Sequence, residues 1–131
     1  MTTELQDIIR KSTFDIQVGK YVYAKVARFP EQNHHFFVSK DSDEITVVTK
    51  EEYIADLSML ERNKDDYALI ALNVSIPFYC VGFLAVVSSA IADKGMDILI
   101  VSTYSKDYIL VRHDKLDDAK STLLDLGFSA K

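Results

Sequence analysis

Residues 67–95, YALIALNVSIPFYCVGFLAVVSSAIADKG, decide the fold, because a strand and a helix follow one another inside a single apolar run. YALIALNVS, from Tyr67, is apolar at nearly every position, which suits a strand covered on both faces. Pro77 ends it, and Val81 to Lys94 is expected to be a helix closed by Gly95. Phe83, Leu84, Val87 and Ile91 form a bulky stripe for a sheet, while Ala85, Ser88, Ser89 and Ala92 form a small-residue face. No charge occurs in that helix before Asp93, so it is expected to be covered on nearly all sides, with a second subunit as one cover.

Downstream, DILIVST and DYILVRH are two strands joined by YSK. Asp114 is expected to cap a helix with Leu116, Ala119, Leu123 and Leu126 on one face and Gly127 past its end. Strand, helix, strand, strand, helix over residues 66–127 is most of a ferredoxin-like βαββαβ unit in the α+β class. Only the last strand is lacking, so another segment must supply that edge.

Upstream, Thr3 with Gln6 forms a capping box before Leu5, Ile8 and Ile9, which recur at helical spacing. YVYAKVARF, after Gly19, alternates as a strand buried through Val22, Ala24 and Val26. His35 to Lys40 and Glu44 to Thr49 flank the turn formers DSD as a hairpin. Thr49 with Glu52 is a second capping box, predicting a helix through KEEYIADL. The polar run ERNKDD, residues 61–66, is the joint between a unit over 1–62 and a unit over 63–131. Each half is short of a complete ferredoxin-like unit, and two half-units sharing strands is the economical solution.

Composition narrows the function. A chain of 131 residues that is 48% hydrophobic buries a proper core. Its 15 basic and 20 acidic residues are mixed, with a net charge of -5 and no basic stripe for a phosphate backbone, so nucleic acid is not an expected partner. A lone cysteine builds neither a disulfide framework nor a paired-cysteine metal motif, which fits a reducing compartment. Neither a signal peptide nor an apolar span of membrane length occurs, so no membrane association and a cytoplasmic location are expected.

Few residues invite chemistry. Cys80 sits near a helix start, but a nucleophilic thiol needs a nearby base, and a cysteine between apolar residues is most often a small core residue. His34 and His35 are neighbours that would point to opposite faces of a strand, and His113 has no clustered acids or cysteines around it, so no metal site is expected. Gly82 lies in the first turn of an apolar helix, where glycine costs about 1 kcal/mol relative to alanine. It serves either close packing or an exposed cradle of backbone N–H groups for an anion. Ser102, Thr103, Ser105 and Asp107 crowd one end of the last two strands.

The run from Phe78 to Ala119, with VGFLA at the helix start, STY…DYILV across the hairpin and an acidic helix after it, resembles the ACT domain of small tandem-ACT bacterial proteins and of the arginine-sensing CASTOR proteins. LQDIIRKSTFDIQVGKYVYAKV and FFVSKDSDEITVV are more weakly similar to the degenerate first unit of the same proteins. The resemblance implies a ferredoxin-like module without catalysis or cofactor, binding an amino acid or other small effector at an interface between ACT units. It implies Tyr79, Cys80, Val81, Gly82 and Phe83 as the ligand-contacting turn, whose backbone amides take the carboxylate. Thr103 and Asp107 belong to the STY…D motif, with Asp107 against the ligand's ammonium. The expected protein is a regulatory sensor acting as a homo-oligomer, a dimer in the simplest case; the alternative is an ACT-like dimerisation or interaction module without an effector.

Overall fold

The computed structural model describes residues 1–74 and 80–131. Tyr79, expected in the ligand-contacting turn, lies outside the described residues. Along the chain the elements are α1 (Thr3–Arg10), β1 (Thr13–Ile16), β2 (Tyr21–Val26), β3 (Phe37–Lys40), β4 (Ile45–Lys50), β5 (Met59–Arg62), β6 (Tyr67–Asn73), α2 (Phe83–Asp93), β7 (Leu99–Ser102), β8 (Asp107–Arg112), α3 (Leu116–Leu126) and β9 (Ser129–Ala130). They form two compact units, residues 1–18 with 68–131, and residues 19–67. As compact bodies these units meet the chain at 18/19 and 67/68.

The first unit is the ferredoxin-like one. Its strands run β7-β8-β6-β1-β9. The edge that the 66–127 segment lacks is supplied by β1, antiparallel to β6 from Thr13↔Asn73 to Ile16↔Ile70. β9 then adds a short parallel pairing outside β1. Period-two burial sends Ala68, Ile70 and Leu72 of β6 into the same core as Leu5 and Ile9 of α1, Phe83, Val87 and Ile91 of α2, and Ala119 and Leu123 of α3. All three helices thus cover one face of this sheet. Leu69 and Ala71, on the opposite face of β6, are equally buried, as a continuous apolar strand demands.

Within this unit, caps differ from expectation in three places. The N-cap of α1 is Thr2, whose Oγ1 accepts from the Leu5 N–H at 3.1 Å, one residue before the predicted Thr3. Asp114 does not cap α3: the Arg112 guanidinium donates to its carboxylate at 2.7 Å, a 3-10 turn occupies His113–Lys115, and Lys115 precedes the helix. Gly82 is not inside the first turn of α2 but before it, at φ 84, a left-handed conformation that glycine adopts without strain. Gly127 closes α3 at φ 117 as expected.

The second unit is an antiparallel sheet. β2 pairs β4 from Tyr21↔Lys50 to Val26↔Ile45, and β3 pairs β4 across the expected hairpin. Asp41 Oδ1 accepts from the Asp43 and Glu44 N–H groups at 2.8 and 3.0 Å, which fixes that turn. Val22, Ala24 and Val26 are buried as their alternation predicts. β5 pairs β2 through a register shift between Lys25 and Val26. Its sequence, MLER, is too short and polar for a period-two pattern, so a strand forms where the joint was expected to begin. KEEYIADL forms a six-residue 3-10 turn, Glu51–Asp56, in place of the predicted helix. Thr49 is buried within β4, and its Oγ1 is committed to His35 Nδ1 at 2.8 Å instead of capping.

Candidate functional site

A cavity of about 220 Å³ opens in the first unit between the start of α2 and the turn linking β7 to β8. One wall is Val74, Cys80, Phe83 and Leu84; the other is the turn itself, residues 102–107. Local sequence explains both walls. The left-handed Gly82 lets the chain turn into α2, with Phe83 N–H donating to the Cys80 carbonyl at 3.3 Å and Val86 N–H to the Gly82 carbonyl at 3.0 Å. Phe83 is 3% exposed and meets Phe128 edge-on at 5.8 Å between ring centroids, so this wall is anchored in the core. In the opposite turn, the Thr103 N–H donates to the Lys106 carbonyl at 2.8 Å, and the Ser102 hydroxyl donates to Asp107 Oδ1. Asp107 is half-buried, while Ser102 to Lys106 are exposed.

Of the residues singled out from the sequence, Cys80, Phe83, Thr103 and Asp107 come together on this cavity. Val81 and Gly82 are not among its lining residues: Val81 is 93% exposed, and a side chain built at Gly82 would meet Leu5 Cδ2 at 3.7 Å, an ordinary contact. Lys106, Val74 and Leu84 line the cavity without having been singled out as ligand contacts. Leu84 follows Phe83 on the stripe assigned to the sheet, and the 80/83/84 spacing along the helix start is the signal that places it beside Cys80. Lys106 and Asp107 are neighbours of opposite charge in the chain, and both line the cavity.

Cys80 is poorly set up as a nucleophile. Burial, and then the Glu4 carboxylate, push its thiol above the ordinary range, so the reactive thiolate is scarce at neutral pH. The histidines lie elsewhere. His34 and His35 precede β3, and in place of the opposed strand geometry their rings sit 4.6 Å apart, with His34 stacked on Tyr53 at 4.0 Å and bonded to Asp56 Oδ2 at 3.0 Å. Among the described residues no group of three or more His, Cys, Asp or Glu side chains could hold a metal ion. No described helix is long and apolar enough to cross a membrane.

The strand, helix, strand, strand, helix order of this unit, completed at its edge by β1, places the architecture in the ferredoxin-like α+β class. Residues 63–125 match the ACT domain family. No curated protein sequence matches the chain. Among solved structures, a Vibrio cholerae protein of unknown function called a possible transport protein is 21% identical, with a TM-score of 0.78 over 95% of this chain and 96% of that one. A protein from Agrobacterium tumefaciens is also 21% identical, with a TM-score of 0.76 over 92% of each chain. The regulatory subunit of aspartate kinase from Thermus thermophilus is 9% identical, with a TM-score of 0.61 over 86% of this chain and 95% of its own. At these identities the likeness is one of fold: α+β, ferredoxin-like, of the ACT type.

Proposed function

We propose that this chain is a non-catalytic regulatory protein whose effector, an amino acid, occupies the cavity between the start of α2 and the β7–β8 turn. The observation that carries the proposal is that Lys106 and Asp107 line one wall of that cavity and an apolar wall stands opposite. A zwitterion requires an anion's partner and a cation's partner a few ångströms apart, and adjacent Lys and Asp side chains supply both. The ACT match over 63–125 supports a regulatory role, as does the fold shared with an aspartate kinase regulatory subunit. In this reading residues 63–131 carry the effector-binding unit and residues 1–62 a degenerate companion. The effector sits where a second ACT unit, from another copy of the chain, closes over the exposed turn; Tyr104 at its tip is 86% exposed.

Such a ligand acts by association rather than by chemistry. Binding only the closed assembly stabilises it by about 2.7 kcal/mol at a hundredfold excess over Kd, enough to shift an oligomer equilibrium. Thermal denaturation against all proteinogenic amino acids and common nucleotides tests this: at least one amino acid should raise the melting temperature, and a panel without a hit removes the effector. A second reading, an association module without an effector, draws on Ala85, Ser89 and Ala92 of α2, which are exposed and small enough to admit another element closely. It is favoured by a gel-filtration dimer whose size and melting temperature ignore every small molecule.

A further inference from the structure

We infer that the cavity selects amino acids with apolar side chains against those with charged ones, an inference that rests on the amino-acid reading above and specifies its ligand. The described lining is divided by chemistry. Its charges and hydroxyls lie on one wall, the 102–107 turn. The wall facing them, Val74, Cys80, Phe83 and Leu84, offers three hydrocarbon side chains and a thiol that burial keeps protonated. A bound α-amino acid whose carboxylate and ammonium are met by Lys106 and Asp107 therefore turns its side chain toward a surface with no charge among the described residues.

The consequence follows from transfer energetics. A charged side chain pressed on that wall loses hydration without gaining a partner, whereas an aliphatic one gains by leaving water. Each methylene that fits such a wall is worth roughly tenfold or more in discrimination. Volume points the same way. At about 220 Å³ the cavity is smaller than the sites that hold drug-sized ligands or nucleotide cofactors, so a free amino acid of moderate size is the matching object.

Isothermal titration of the full chain with leucine, isoleucine, methionine, alanine, glutamate, lysine and arginine tests the inference. Leucine, isoleucine or methionine should bind at least about tenfold tighter than alanine and on the order of 100-fold tighter than glutamate, lysine or arginine. Equal affinity for leucine and lysine overturns the selectivity while leaving the amino-acid reading in place; no binding by any of the seven also overturns the selectivity, and the full amino-acid panel above then decides the amino-acid reading. Leu84→Asp provides the inverse test. Position 84 is half-buried in the first turn of α2, where an acidic side chain suits the helix dipole, so the helix should persist by circular dichroism. The variant should lose leucine and prefer lysine or arginine by at least about tenfold. Unchanged preference in a folded variant overturns the assignment of that wall, and if the variant does not fold the wild-type ranking decides.

Discussion

Ser102 and Asp107 are register partners at the end of the β7–β8 ladder, and the Ser102 hydroxyl donates to Asp107 Oδ1 at 2.5 Å. That bond orients the carboxylate without exhausting it, because an ionised carboxylate accepts about four hydrogen bonds. The remaining acceptor positions are the ones an ammonium would use. Asp107→Ala should weaken amino-acid binding by about 1.5 to 3 kcal/mol, the usual loss for a hydrogen bond to a charged group. Ser102→Ala removes only the orienting bond and should cost less than about 1.5 kcal/mol. Calorimetric titration of both variants checks the order; unchanged affinity in Asp107→Ala would remove that carboxylate from the site.

Gly82 calls for a different kind of variant, because its constraint is backbone rather than space. Its φ of 84 lies in the left-handed region, and a Cβ there would meet only Leu5 Cδ2 at 3.7 Å. Gly82→Ala should therefore destabilise by about 1 to 2 kcal/mol through the left-handed strain alone. Gly82→Asn should lose less, since Asn enters that region more readily than other side-chain-bearing residues. Urea midpoints of the two variants separate this from a steric account, in which the larger Asn would be the worse substitution.

The elements that were legible in the sequence are those whose pattern is self-contained. β6, α2, β7, β8 and α3 each carry their own period and their own stop signal, such as Gly95 at φ 77 or Gly127. β1 is only TFDI, and what makes it a strand is its distant partner: Phe14 faces Leu72 across the ladder, a pairing no local pattern encodes. The same holds for β5, which exists through its backbone pairing with β2. Thr49 and Asp114 misled for the opposite reason. Each has the right side chain in the right position for a cap, but a tertiary or local partner, His35 or Arg112, claims it first. In the cavity, Cys80, Phe83, Thr103 and Asp107 were reached through motif resemblance. Lys106 and Leu84 were not, because facing walls from 74–84 and 102–107 meet only once the sheet is built.

His35 links the second unit to pH. Its Nδ1 bonds Thr49 Oγ1 at 2.8 Å, and its Nε2 is buried without a hydrogen-bond partner among the described residues. In the imidazolium both ring nitrogens carry hydrogen, so the charged form holds an N–H there with no acceptor among the described residues. Burial, and then the neighbouring His34, hold its pKa below the ordinary 6.5, with Asp56 pulling weakly the other way. The unfolded chain therefore takes up this proton at a higher pH than the folded one does. Stability is full above 6.5 and is lost as the pH falls from there toward the folded value, because the unfolded state binds more protons in that window. Urea midpoints should drop between about pH 7.5 and about pH 5.5, and more steeply in wild type than in His35→Gln, which keeps a group able to bond Thr49 but cannot titrate. Equal slopes in the two proteins would assign the acid sensitivity to other groups.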